Sequence, residues 1–210
     1  MRCKKIIIVS IFIIALIIVI FIYKRQPDGI TMAEAIQVSY DYAKKWEEDC
    51  KLIQVISTDA SDTSDYHRGE KGKRYSWNIF YTSESSEKQY NILVVDGNVK
   101  YKSEVQIPVY QGIDPVNNSI IDSDQALAIA KKTGLKPVPP KNGWAVGYHY
   151  SLQYVTNDSS DTYLALLVYG ELNGNFSYAI IEPYTSRLIT VMQQTGYDKN
   201  GRSVWIEKEL

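Results

Sequence analysis

Few residues of this sequence could carry chemistry, and its two histidines are the first to consider. His67 lies in a polar stretch, and His149 alternates with tyrosines as a residue of a strand would. Catalysis through either residue would need a nucleophile and an orienting acid, and no G-x-S-x-G, H-E-x-x-H or Cys/His motif is present. We therefore expect a solvated loop histidine, an outward-facing strand histidine and no enzymatic activity.

Asp59, Asp62 and Asp65 are the best candidates for binding a metal ion. A calcium loop places carboxylates at alternate positions with a glutamate further on. These three aspartates are instead spaced three residues apart, with serine and threonine between them, which is typical of a solvated loop. Gly69 and Gly72 do not form a phosphate-binding motif. The sequence thus predicts neither a metal nor a cofactor.

The two cysteines occupy very different surroundings. Cys3 precedes a long apolar run, so it is not the lipid-modified cysteine of a bacterial lipoprotein, which follows such a run. Cys50 falls on the apolar stripe of a helix predicted over residues 32–49, and no histidine neighbours it. A thiol in that position is expected to be buried and unreactive.

Charge is distributed unevenly along the 210 residues. Residues 1–25 contain five Lys/Arg and no carboxylate, whereas the remainder contains 18 basic and 24 acidic residues, a net charge of −6. A nucleic-acid-binding body would carry a basic patch. The acidic body therefore argues against nucleic acid as a partner.

The N-terminal segment predicts where the protein lies in the cell. Residues 6–23 carry no charge, and as a helix they would span about 27 Å, close to the hydrocarbon thickness of a bilayer. No small-residue cleavage site follows the run. We predict a retained single-pass anchor in contact with membrane lipid. The distribution of Lys and Arg favours a cytoplasmic N-terminus and an extracytoplasmic body at the cell membrane.

Beyond the anchor, the pattern helix-then-strands occurs twice. Thr31 with Glu34, and Asp122 with Gln125, have the spacing of helix-capping boxes. The predicted strands cover residues 52–57, 74–82, 89–95, 98–105, 147–155, 162–170, 176–182, 187–195 and 202–207. Asp96-Gly97 and Asn200-Gly201 are hairpin signals between strands.

These halves have the marks of a duplication. TMAEAIQ (31–37) aligns with DSDQALA (122–128), and SWNIFY (76–81) aligns with HYSLQY (149–154). The sequence thus predicts an α+β protein, in which an N-terminal transmembrane helix precedes two helix-plus-antiparallel-sheet domains. The predicted segments are a transmembrane signal anchor with a short cytoplasmic tail (1–25), a tether (26–30), a first αβ domain (31–107), a linker (108–120) and a second αβ domain (121–210).

The chain resembles the PepSY and PepSY-like superfamily of bacterial exported proteins. The residues that carry the resemblance are Ala43–Trp46, Asp49, Leu52, Ile56, Trp77, Phe80, Tyr81, Tyr90, Val94, Gly97, Ile121–Ala130, Gly134 and Tyr178–Val191. In the last stretch Glu182 stands for the usual Asp and Ser186 for the usual turn Gly. The resemblance implies a helix packed on an antiparallel sheet, used twice and without catalysis. It also implies inhibition or retention of a protein partner.

One face of the predicted strands is the remaining candidate site. If Tyr150 and Leu152 face the helix of their half, His149 and Gln153 face away, as do Asn78 and Phe80 in the first half. This face could dock a partner, or the two halves could pack together there. We expect a non-enzymatic, membrane-anchored, extracytoplasmic protein-binding or regulatory module that restrains or scaffolds an envelope peptidase or another envelope protein. The alternatives are an envelope hydrolase and a structural envelope spacer.

Overall fold

The computed structural model describes residues 29–58, 69–86, 88–106, 116, 119–140, 146–156 and 161–208. Within these ranges it contains two α-helices and nine β-strands. The helices are α1 (Met32–Trp46) and α2 (Ser123–Lys132). The strands are β1 (Lys51–Ser57), β2 (Ser76–Thr82), β3 (Gln89–Val95), β4 (Asn98–Val105), β5 (His149–Thr156), β6 (Thr162–Leu172), β7 (Asn175–Ile181), β8 (Leu188–Tyr197) and β9 (Ser203–Lys208).

All nine strands belong to one antiparallel sheet, in the order β4-β3-β2-β1-β5-β6-β7-β8-β9. The first strand of each half pairs with the other: Val55 lies opposite Leu152, and Ile56 lies opposite Ser151. The prediction of two separate helix-plus-sheet domains is therefore wrong. The physical reason is that β1 and β5 would each expose a row of unpaired backbone groups at an edge, and their pairing satisfies both rows.

The membrane-spanning helix that the prediction included forms no part of this described fold. In the ranges given above, no helix is both long enough and apolar enough to cross a bilayer. Residues 1–28, which contain the anchor and most of the tether, lie outside those ranges, as does most of the linker 108–120. The domain boundaries placed there stay predictions.

Both helices begin at the capping boxes that the sequence predicts. Thr31 Oγ1 accepts a hydrogen bond from the Glu34 amide at 3.3 Å, and Glu34 Oε2 accepts one from the Thr31 amide at 2.8 Å. Asp122 and Gln125 form the equivalent box at α2. Helix α1 ends at Trp46 rather than near residue 49, because the backbone at the following residue is already extended.

The two helices lie on the same core, which is continuous across the halves. Trp77 of β2 and Tyr150 of β5 are fully buried, with ring centroids 6.1 Å apart. The Tyr81 hydroxyl lies 2.7 Å from Ser39 Oγ of α1 in a buried hydrogen bond. The core residues are Met32, Ala35, Ala43, Cys50, Leu52, Val55, Trp77, Ile79, Tyr81, Ile92, Val94, Ile121, Ala126, Leu127, Ala130, Leu135, Tyr148, Tyr150, Leu152, Leu164, Leu166, Val168, Leu172, Ala179, Ile181 and Val191.

The predicted strand positions agree closely with the structure, but the alignment of SWNIFY with HYSLQY does not. SWNIFY forms most of β2, the second strand after α1, whereas HYSLQY begins β5, the first strand after α2. The topological equivalent of β5 is β1, since these two strands meet at the middle of the sheet. Alternation of large and small side chains marks a strand with one buried face, and it does not mark the position of that strand in a sheet.

Candidate functional site

One face of the sheet carries no helix in the described ranges, and we call it the helix-free face. The strand register places on it, among others, the side chains of Gln54, Ile56, Asn78, Phe80, Asn91, Leu93, Tyr101, Ser103, Ser151, Gln153, Ala165, Leu167, Tyr169, Phe176, Tyr178, Ile180, Met192 and Trp205. None of these side chains is charged. Lys51, Glu171 and Glu207 share the face close to the ends of their strands.

The structure brings three of the predicted surface residues together near the middle of this face. Asn78 and Phe80 lie opposite Ile56 and Gln54 of β1, respectively. The Gln54 amide in turn donates to Gln153 Oε1 at 3.1 Å across the β1–β5 seam. Asn78, Phe80 and Gln153 are each half-buried. Whether a partner docks on them stays a prediction.

His149, the fourth predicted surface residue, also lies on the helix-free face, but its side chain is only 5% exposed. His149 thus faces away from the helices, as expected of an outward-facing strand residue, but its side chain is buried and not in solvent. Arg74 Nη2 lies 3.0 Å from His149 Nε2, and Ser57 Oγ lies 3.1 Å from His149 Nδ1. Arg74 itself is 2% exposed, and its guanidinium also donates to the carbonyl of Tyr148. The histidine belongs to a buried polar network between the two halves.

Ser57 and His149 are the two kinds of residue that form a nucleophile–base pair in many hydrolases, but their surroundings differ from those of such a pair. Ser57 Oγ accepts a hydrogen bond from the Tyr150 amide at 2.9 Å, and Ser57 is 4% exposed. A guanidinium, not a carboxylate, faces the second ring nitrogen of His149. That neighbour opposes the imidazolium that general-base catalysis would create. The arrangement suits a structural link between strands.

Sequence reasoning missed an aromatic cluster at the other end of the helix-free face. It consists of Tyr169, Phe176, Tyr178 and Trp205, and we call it the aromatic cluster. The Trp205 ring lies edge-on to the Tyr178 ring at 4.8 Å, and 6.1 Å from the Phe176 ring. Tyr169 lies 6.0 Å from Phe176 and 5.4 Å from Tyr178. All four side chains are half-buried, so each presents part of its surface to solvent.

Burial disfavours ionisation of the two phenols of this cluster. It raises the pKa of Tyr169 to about 12, and it also raises the pKa of Tyr178. Part of this cluster could have been predicted from the sequence. Phe176 and Tyr178 are two residues apart, so both rings lie on the same face of a strand. Which strands add the other two rings depends on sheet order, and spacing within one strand does not encode that order.

The other residues that the sequence singled out as possible metal ligands or nucleophiles lie partly inside and partly outside the described ranges. The described part of the chain contains no cluster of three or more His, Cys, Asp or Glu that could hold a metal ion. Asp59, Asp62, Asp65 and His67 lie outside the described residues. Cys50 is a free, buried thiol whose pKa is raised by desolvation, in agreement with the expectation of an unreactive cysteine.

The geometry defines a class of protein: two helices on one face of a continuous nine-stranded antiparallel sheet, with the other face poor in charge and partly aromatic. No known protein-family profile matches the chain, and no curated protein matches it. Among solved structures it is similar to a Clostridium difficile 630 protein described as a "putative lipoprotein", with a TM-score of 0.52 and 12% identity. That similarity covers 81% of this chain and 97% of the other, and at this identity it shows a shared fold. The Bacillus megaterium YpeB C-terminal domain matches with a TM-score of 0.30 and 15% identity, over 81% of this chain and 67% of the other.

Proposed function

We propose that this protein is a non-enzymatic, extracytoplasmic module that binds a protein partner through the helix-free face of its sheet. One observation carries the proposal. That face carries uncharged aromatic, aliphatic, amide and hydroxyl side chains, and its charged residues Lys51, Glu171 and Glu207 lie near strand ends. Ser151, Ala165, Leu167 and Ile180 of this face are buried, so a partner would contact the half-exposed side chains around them. Protein interfaces are depleted of charge at their centres and enriched in aromatic residues. An ordinary solvated sheet face would instead carry many charged side chains.

Two further observations support an extracytoplasmic location. The apolar run of residues 6–23 with basic flanks is typical of a segment that directs export and meets membrane lipid. The fold is shared with a protein that is itself described as a "putative lipoprotein". The PepSY-like resemblance implies the kind of partner, an envelope peptidase or another envelope protein that the module restrains or scaffolds.

Site-specific photocrosslinking in intact cells tests this function. A photoreactive phenylalanine analogue at Phe80 or Tyr101 would sample the helix-free face, and the same analogue at Tyr40 or Tyr42 would sample exposed positions on α1. We expect one protein to crosslink to both positions of the helix-free face and to neither position of α1. The absence of an adduct from Phe80 and Tyr101, or equal adducts from α1, would exclude the helix-free face as the binding surface.

A further inference from the structure

The edge of the helix-free face beside the aromatic cluster has features that the rest of the face lacks. Strand β9 is the last strand of the sheet, so one row of its backbone amides and carbonyls has no neighbouring strand in the described part of the chain. Val204 and Ile206, whose side chains lie on the opposite face of this strand from Trp205 and Glu207, are 40% and 43% exposed. An exposed apolar edge strand is a template for pairing with another extended segment.

The opposite edge of the sheet is protected against such pairing. Strand β4 carries Lys100 and Lys102, both exposed, and lysines along an edge discourage the addition of another strand. The Lys102 ammonium lies 4.7 Å from the Tyr42 ring, so this lysine interacts with α1 of its own chain. Strand β9 has one lysine, Lys208, and it is the last residue of the strand, whereas both lysines of β4 lie inside their strand. The edge of β9 is therefore the less protected of the two.

The side chains on β9 favour a cationic partner residue. Trp205 and Glu207 are two residues apart, so both lie on the helix-free face. A residue on an added strand opposite Trp205 would be a diagonal neighbour of Glu207. An arginine there could stack on the indole and reach the carboxylate, since guanidinium groups combine both interactions. In the described structure no lysine or arginine forms an ion pair with Glu207.

We propose that β9 binds an extended, arginine-bearing segment of a partner protein by strand addition, with the arginine over Trp205 and directed toward Glu207. This inference deepens the proposed function and rests on it, because it assigns the partner's point of contact to one edge of the same face. The free backbone edge favours a polypeptide over a small cationic headgroup, which would use only the ring and the carboxylate.

A second copy of this chain is a poorer occupant. Two β9 strands related by a two-fold axis in one continuous antiparallel sheet join residues of the same face. Trp205 would then meet Ser203, Trp205 or Glu207 of the second copy, and none of these is a cation. Charge complementarity thus points to a different chain.

A peptide-binding measurement on the full-length chain tests the inference. The probe is a fluorescent pentapeptide, acetyl-Thr-Val-Arg-Val-Thr-amide, and its control contains citrulline, the uncharged isostere of arginine. Fluorescence anisotropy should show about tenfold tighter binding of the arginine peptide. Trp205→Ala and Glu207→Gln should each remove that difference. Glu171→Gln is the matched control and should leave it unchanged, because Glu171 lies on β6, three strands away.

Several outcomes would overturn the inference. They are equal binding of the two peptides, full retention of the difference in Glu207→Gln, equally tight binding of free choline, and a stable dimer in sedimentation that Trp205→Ala dissolves. None of these outcomes would contradict the proposed function as long as the analogue at Phe80 still crosslinks to a partner protein. The proposed function fails separately, when the helix-free face yields no crosslinked protein, whatever the peptide does.

Discussion

The hydroxyl oxygen of Ser123, the first residue of α2, lies 3.0 Å from the backbone nitrogen of Met32, the first residue of α1. It accepts that amide's hydrogen bond and donates its own proton to the Gly72 carbonyl at 2.6 Å. Asp122 Oδ1 accepts from the next amide of α1, that of Ala33, at 2.9 Å. The N-terminus of one helix is thus capped partly by residues of the other, which joins the two halves at a second place besides the β1–β5 seam.

Ser123→Ala should destabilise the whole protein. The change leaves the Met32 amide and the Gly72 carbonyl without their partner, and Ser123 and Met32 are both fully buried. We expect a loss of about 2 kcal/mol in the free energy of unfolding, since unsatisfied buried polar groups cost about 1–3 kcal/mol. Urea unfolding followed by circular dichroism measures the loss. Thr195→Ala, at an exposed position, is the control and should change stability by less than about 0.5 kcal/mol.

The same unfolding experiment tests whether the halves are independent. Because the core runs through both, we expect a single transition that Ser123→Ala shifts as a whole. Two separate transitions, only one of them moved by the substitution, would contradict a continuous core.

The tautomer of His149 follows from its neighbours. Arg74 Nη2 can only donate, so Nε2 of His149 must accept and carries no proton. The proton then lies on Nδ1, which faces Ser57. Nitrogen-15 NMR of histidine-labelled protein at pH 7 should show a protonated Nδ1 and an unprotonated Nε2. A proton on Nε2 would contradict the Arg74 contact.

Asp49 should titrate at unusually low pH. The hydroxyls of Ser83 and Ser85 donate to its carboxylate at 2.6 and 2.8 Å, and the amides of Glu84 and Ser85 donate at 3.0 Å. These hydrogen bonds lower the pKa of Asp49 from 3.8 to about 2. Because the folded-state pKa lies below the unfolded one, this contribution to stability is complete above about pH 4 and is lost as the pH falls through about 2.

Carbon-13 NMR of the Asp49 carboxyl group measures that titration. In the Ser83→Ala/Ser85→Ala double variant the pKa should rise toward its ordinary value, because the two largest causes of the shift are gone. An unchanged pKa in this variant would show that the serine hydroxyls do not hold the carboxylate.

Ser186→Gly should stabilise the protein. Ser186 has a φ of 61°, in the left-handed region that favours glycine, within the turn between β7 and β8. Relief of this strain outweighs the greater entropy of glycine in the unfolded chain, so we expect a net gain of about 0.5–1 kcal/mol. Thermal unfolding measures the gain. Thr185→Gly, in the same turn at ordinary φ, is the control and should lower the melting temperature.

Sequence patterns predicted the local structure well, because that structure depends on residues close together in the chain. The capping boxes at Thr31 and Asp122 correctly locate the first residue of each helix. Asp96 and Gly97 have φ angles of 47° and 70°, as the predicted hairpin requires. Alternation likewise assigned Phe80 and Gln153 to one face of the sheet.

Sequence patterns failed where contacts join distant residues. The sequence predicts that His149 faces outward on its strand, because alternation indicates only the face on which a side chain lies and not whether that face is exposed. Its burial depends on Arg74, 75 positions earlier in the chain. One signal was available for the sheet: β1 carries apolar residues on both faces, including Val55 and Ile56, which is typical of a central strand and not of an outer one.

By itself, the sequence determined where the two helices begin, where the strands lie to within about two residues, which side chains share a strand face, and that the body of the protein is acidic. These properties follow from backbone sterics, capping and side-chain alternation within a few residues. Only the tertiary structure decided that β1 pairs with β5, that one core serves both halves, and that four aromatic rings from β6, β7 and β9 meet at one end of the sheet. Strand order depends on long-range pairing of backbone groups, and a backbone amide is chemically the same in every strand.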